Sequence, residues 1–292
     1  RHFFLSQYFY ENYDQFAAHL PYVSSGINIT RVEVWVTNKS GRYEQARNVV
    51  AFADIGESTR LSNSYWTPNL SVPVPSNNSN NLLSVIKEQY PDARNIDQVT
   101  QALEPLSAFG VEGGRDYEKV ESARLLTESE YTLNSTLGYI SVKSQINADE
   151  VLGVAFQYTY NGQVYQVGEF SSDITSTTQS LYVKMLKSTT TDPRMPIWRL
   201  MMKNVYSLGA YQVQKSNFRL NVKYLSDTTG TQINYLPVPG LNNQSLLQVM
   251  NLDRIDSNEQ SNPDGFFDFI EGYTILASTG KIIFPVAEPF GA

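Results

Sequence analysis

The stretch Glu150-Val-Leu-Gly-Val-Ala-Phe-Gln-Tyr-Thr-Tyr-Asn-Gly-Gln-Val-Tyr-Gln-Val-Gly-Glu-Phe170 decides the fold class. Val154, Phe156, Tyr158 and Tyr160 fall on one parity, and Ala155, Gln157 and Thr159 on the other. A period of two places them on opposite faces of a strand. Asn161-Gly162 then supplies a two-residue turn, because a type I′ turn needs positive φ at both central residues. This segment is therefore a β-hairpin.

The reading extends outward in both directions. Thr30 to Val36 carries Val32, Val34 and Val36 at alternate positions, while Ile27 and Ile29 lie on the opposite parity. That shift predicts a bulge near Thr30. The apolar run Asn48–Ala53 is expected to pair with this strand. A further hairpin is expected within Glu128–Lys143, turning near Thr136–Gly138. Phe218, Leu220, Val222 and Tyr224 alternate with Arg219, Asn221 and Lys223, which predicts another half-buried strand.

Helices are expected where the period changes. Leu5, Phe9, Tyr13, Phe16 and Leu20 recur at threes and fours, so residues 3–20 read as an amphipathic helix ending before Pro21. Leu82–Tyr90 follows Asn81 as candidate N-cap, with Pro91 as the stop. Asn95–Leu106, residues 196–207 and residues 241–255 also carry helical stripes. Residues 67–81 are a Pro/Asn-rich loop. The fold class is α+β and strand-rich, mostly antiparallel sheet with packed helices.

An internal repeat organises the chain. Tyr131-Thr-Leu-Asn-Ser-Thr-Leu-Gly138-Tyr-Ile140 matches Tyr273-Thr-Ile-Leu-Ala-Ser-Thr-Gly280-Lys-Ile282 in spacing. A helix, an alternating strand and a leucine pair precede each copy. Two related units are expected, residues 1–170 and a shorter 171–292 that lacks a match for the hairpin at 150–170. The abrupt ends, Arg1-His-Phe-Phe4 and Pro289-Phe-Gly-Ala292, are read as those of a piece of a longer chain. Repeats of this kind mark duplicated architecture, not chemistry.

Composition narrows function. The 292 residues carry a net charge of −7 with 17% charged residues, so no basic surface for nucleic acid is expected. There are no cysteines, which excludes disulfides, zinc-thiolate sites and thiol nucleophiles. Tyr (19), Phe (14) and Trp (3) are abundant and suit a pleated core. They also leave material for an aromatic binding face. The only histidines are His2 and His19, too distant in pattern to argue a triad. Gly113-Gly114 does not form a phosphate loop. The pairs Glu128/Glu130 and Asp149/Glu150 read as solvated turn residues, and no catalytic residue or cofactor is assigned.

One segment invites a metal reading. Asp256, Asn258, Asn262, Asp264 and Asp268 offer short oxygen-bearing side chains around Gly265, as a calcium loop does. Gln260 and Pro263 depart from the EF-hand pattern. The preferred reading is an Asx-rich loop whose side chains cap backbone amides. Calcium at these five positions is the alternative.

Several long blocks resemble the SprA/Sov family of gliding-motility and secretion proteins. They are FFLSQYFYENYDQFAAHLP (3–21), SGINITRVEVWVTN (25–38), NVVAFADIGE (48–57), DEVLGVAFQYTYNG (149–162), WRLMMKNVYSLGA (198–210), NPDGFFDF (262–269) and GKIIFPVAEPFG (280–291). The resemblance implies a part of the giant outer-membrane barrel that serves as the type IX secretion translocon in Bacteroidetes. It implies a non-catalytic structural and interaction module, exposed to periplasm or cell surface. Expected partners are other secretion-system proteins, secreted cargo and the rest of its own barrel. The alternative function is a calcium-dependent or carbohydrate-binding adhesin module.

Overall fold

The computed structural model describes residues 1–41, 43–227 and 229–291. It is α+β, with four short helices and strand-rich, mostly antiparallel sheets. The chain divides into two compact units. One comprises Arg1–Asn12 with Ser25–Met202, the other Tyr13–Ser24 with Lys203–Ala292. The division falls at Met202, not at residue 170.

The first unit contains β1 (His2–Phe4), the start of α1 (Gln7–Phe16), β2 (Ile27–Val36), β3 (Arg47–Phe52), α2 (Leu82–Gln89), α3 (Val99–Leu103) and β4 (Tyr117–Leu125). These are followed by β5 (Tyr131–Asn134), β6 (Tyr139–Val142), β7 (Leu152–Tyr160), β8 (Gln163–Val167) and β9 (Leu181–Lys187). Six strands form one sheet in the order β2-β4-β3-β9-β7-β8, and β7 pairs back onto β2. The ring β2-β4-β3-β9-β7 is thus closed, a small barrel with β8 extending it. All its pairs are antiparallel except β3 with β9. Closure removes the edges that an open sheet must protect.

β7 holds the ring together. It runs against β2 over nine paired positions from Ile27↔Tyr160 to Val36↔Leu152. The register shifts between Ile29 and Arg31, at the predicted bulge. Asn161 (φ 50°) and Gly162 (φ 74°) make the predicted turn into β8. Val154, Phe156 and Tyr158 are fully buried. On the opposite parity the first residues, Gly153 and Ala155, stay small because neighbours press on them: a Cβ at Gly153 would lie 2.7 Å from Val183 Cγ2.

Long-range pairing overturned several local expectations. β3 pairs with β4 and β9, not with β2, because β7 occupies the long edge of β2. β9 explains the unit boundary. Its Leu181–Leu186 side chains are all buried between β3 and β7, so residues beyond 170 belong to the first barrel. Residues 3–20 are not one helix. Phe3 and Phe4 are drawn into β1 by pairing with Ile140 and Tyr139, and only Gln7–Phe16 is helical. The stripe at 95–106 breaks into α3 and a 3-10 turn at Glu104–Phe109, where Pro105 removes an amide donor. Asn81 sits at the start of α2, but its Oδ1 accepts from Thr67 N (2.8 Å), and its side chain does not cap the helix.

The second unit contains β10 (Val205–Ser207), β11 (Tyr224–Leu225), β12 (Gln232–Ile233), α4 (Leu246–Val249), β13 (Ile275–Leu276) and β14 (Lys281–Ile283). The expected helix over 196–207 is a 3-10 turn at Pro196–Leu200 followed by β10. The expected helix over 241–255 shrinks to the single turn of α4. Ser245 Oγ accepts from Gln248 N and Gln248 Oε1 from Ser245 N, a reciprocal cap. Leu247, Leu252, Phe267, Ile275, Ile282 and Phe284 form the core here.

The repeat is visible in the hydrogen bonding. β1-β6-β5 and β10-β14-β13 are three-stranded antiparallel sheets of the same order. Phe3 faces Ile140 as Tyr206 faces Ile282. Leu5 N donates to Gly138 O (2.9 Å), and Leu208 N donates to Gly280 O (2.8 Å). Both glycines have positive φ, 68° and 58°. A Cβ at Gly138 would collide with the Phe9 ring, and one at Gly280 with the Ala210 carbonyl. In each copy the chain leaving the edge strand crosses directly over the hairpin glycine, which is why only glycine serves there.

Candidate functional site

The Asx-rich loop of the second unit is knitted to its own backbone. Asp253 accepts from Asp264 N (3.0 Å) and Gly265 N (3.1 Å). Asp256 Oδ1 accepts from Asn258 N (2.8 Å) and Gln260 N (3.1 Å). Asp264 Oδ1 accepts from Phe266 N (3.0 Å). Asp268 Oδ2 accepts from Arg254 N (2.7 Å), while Thr274 Oγ1 donates to Asp268 O (2.5 Å). The carboxylates of Asp256, Asp264 and Asp268 thus turn to amides, and Asn258 and Asn262 are exposed. Among the described residues, no three His, Cys, Asp or Glu side chains are grouped to hold a metal ion. Burial pushes the Asp268 carboxyl up to about 6, and the charges of Asp253 and Asp264 add to the rise.

This loop forms one wall of a groove of about 380 Å³, whose other wall is Lys215–Arg219. Phe218 meets Phe267 and Phe269 edge-to-face, at centroid distances of 5.4 and 5.6 Å. Phe266 is half exposed, with the Arg219 guanidinium 4.9 Å from its ring centre. The groove therefore pairs an aromatic floor with charged rims: Lys215 and Arg219 on one side, Asp256 and Glu259 on the other.

The first unit holds a different cluster, inside the protein. Lys184 on β9 bonds Glu57 at 2.6 Å, with both side chains almost wholly buried. Lys184 Nζ also donates to the Ala53 carbonyl. The Glu57 carboxylate accepts from Gln7 N at 3.0 Å. Asp54 accepts from Ser62 N (2.6 Å) and Asn63 N (3.1 Å), and Asn80 Nδ2 donates to the carbonyls of both Asp54 and Glu57. Burial pushes Asp54 up to about 7 and also raises Glu57, against the pull of Lys184. Gly56, between the two acids, has φ 75°, and a Cβ there would lie 2.6 Å from Val167 Cγ1. Each charged group is met by a partner, and with only 1–2% exposure none of the three touches solvent. The cluster can clamp the loop after β3 onto the barrel; it cannot receive a solute in this conformation.

A second buried acid follows the same logic. Glu169 is bound by Arg94 through two 2.6 Å hydrogen bonds and by Lys87 at 2.8 Å. Burial alone would raise its carboxyl, yet the Arg94 and Lys87 bonds outweigh burial and hold it below the usual range. The Arg94 guanidinium also stacks 3.8 Å from the Tyr182 ring centre.

Neither buried cluster was anticipated. The available signal was a charge inside an apolar strand, Lys184 in Leu181–Leu186, which must find a counter-charge when buried. Of the histidines, His2 lies on β1 with Nδ1 2.6 Å from Ser141 Oγ, and His19 makes a bridge with Tyr22. Compared with known proteins, the chain matches no family model and no curated protein.

Proposed function

We propose that the chain is a non-catalytic structural and interaction module of the outer-membrane translocon of type IX secretion and gliding motility. The resemblance of its sequence blocks motivates the assignment. One observation supports the non-catalytic part: the ionisable groups of the two buried clusters in the first unit, Asp54, Glu57, Lys184 and Glu169, are engaged in fixing loops to the barrel. A catalytic acid or base must reach its substrate, and these do not. No helix among the described residues is long and apolar enough to cross a membrane.

Interaction surface concentrates on the second unit. Eight of the twelve large exposed hydrophobic residues among those described belong to it, Tyr211, Leu225, Val238 and Phe266 among them. Aromatic exposure of this kind favours protein contact. The test is retention of identified secretion-system components from a Bacteroidetes cell-envelope extract on the immobilised chain. The reading expects those components to be enriched, and a variant carrying Tyr211→Ser and Phe266→Ser to retain fewer. Retention of none, or measurable turnover of a substrate by the chain, contradicts it.

A further inference from the structure

We infer that residues Phe218–Tyr224 are an open strand edge that accepts an extended segment of another polypeptide, one with apolar and acidic residues in alternation. The inference stands on the internal repeat and on charge, independently of the translocon reading.

The segment has the side-chain order of a strand without the ladder. Phe218, Leu220, Val222 and Tyr224 are half-buried, and Arg219, Asn221 and Lys223 are exposed, a strict period of two. Phe218, Leu220 and Val222 lie against the core of the second unit. Phe218 has extended backbone angles, φ −78° and ψ 129°. Only its end is paired, Tyr224 with Ile233 in the β11–β12 hairpin. Among the described residues, the backbone of Arg219–Lys223 makes no hydrogen bond. Such a row of free N–H and C=O groups is a template for an added strand.

The first unit shows what covers the equivalent place. There β2 occupies the same position in chain order, between the edge strand and the hairpin, and β7 lies antiparallel along it. β7 itself is committed to its own barrel, with Val154, Phe156 and Tyr158 fully buried. The groove between Lys215–Arg219 and the 255–270 loop leaves room beside the first part of the open edge.

Charge selects among candidate strands. Pairing two copies of this edge antiparallel about Asn221 would set Arg219 opposite Lys223 twice, and like charges directly opposite one another are destabilising. An incoming strand with carboxylates four residues apart would instead meet Arg219 and Lys223. Its alternate apolar residues would continue the face formed by Phe218, Leu220 and Val222.

The experiment titrates the 292-residue chain with a nonapeptide of alternating valine and polar residues, bearing two glutamates four apart. Amide hydrogen exchange is read residue by residue. The expected result is slowed exchange at amides within 219–223, with at least about fivefold weaker binding when the glutamates are replaced by lysines. The same peptide N-methylated on its pairing edge should not bind. The exposed double variant Arg219→Glu/Lys223→Glu, which leaves the core face intact, should reverse the preference between the two peptides. Absence of protection at millimolar glutamate peptide, equal affinity for both peptides, or dimerisation of the chain through this edge would overturn the inference.

Discussion

The two three-stranded sheets share a blueprint and differ in what surrounds them. β1-β6-β5 and β10-β14-β13 have the same order, the same crossing over a positive-φ glycine and the same Leu-to-Gly hydrogen bond. In the first unit, the alternating strand that follows is sealed into a closed ring and braced by a buried ion pair. In the second, the corresponding segment lies on the core with its backbone unpaired, and loops rich in Asp and Asn supply much of the order. A repeated small sheet can thus be set in a self-sufficient environment or in one with an open edge. The first suits a scaffold; the second leaves surface for a partner.

The largest effect that would sharpen this contrast is expected at Lys184. Lys184→Met leaves Glu57 and Asp54 buried without their counter-charge, at a cost of about 3–5 kcal/mol. All three tryptophans, Trp35, Trp66 and Trp198, lie in the first unit, so urea unfolding followed by their fluorescence reports that unit. Adding Glu57→Gln should recover part of the loss. A silent Lys184→Met would remove the ion pair from the comparison.

The shared blueprint is tested by the paired glycines. Gly138→Ala and Gly280→Ala should each cost about 3 kcal/mol, combining the left-handed backbone penalty with steric overpacking. Tryptophan fluorescence reads the first variant and backbone amide spectra the second. If one glycine tolerates alanine and the other does not, the two sheets are not built alike.

Next in size is the pH response of the second unit. The folded Asp268 carboxyl keeps its proton to about pH 6, whereas the ordinary value is 3.8. The fold binds the extra proton between those values, so this group's stabilisation is complete below about pH 4 and is lost as pH rises through 6. The change should be about 2 kcal/mol, and Asp268→Asn should abolish it. Unfolding of the second unit, followed by amide spectra at pH 4.5 and 7, checks both. The smallest effect is Ser245→Ala, which removes one side of the α4 cap and should cost about 1 kcal/mol in the same assay.

Local features were legible in the sequence and closures were not. The Asn161-Gly162 turn and the bulge beside Thr30 depend on backbone preferences of the residues themselves. The repeat was legible because Gly138 and Gly280 each sit where a side chain would strike the crossing chain. The place of β9 in the barrel was not legible, since a parallel partner 132 residues away leaves no local trace. Phe3 and Phe4 fit a helical stripe equally well, and pairing with β6 decided against it. At the 256–268 loop, the Asx-rich composition predicts side chains that cap backbone amides, and Asp256 and Asp264 do so. The Lys184–Glu57 pair is not legible in the sequence, because each partner looks ordinary until the chain brings them together. The alternation over 218–224 predicts a strand, yet alternation records the buried face and not whether a ladder exists.

Native-state hydrogen exchange of the unliganded chain tests the central claim, one sheet design in a closed and an open setting, most directly. Slow exchange is expected at Leu5 and Leu208 alike and along the β2–β7 ladder, with fast exchange at Arg219 through Lys223. Protection at 219–223 equal to that of β2, or a Leu208 amide exchanging as freely as a loop, would contradict the account.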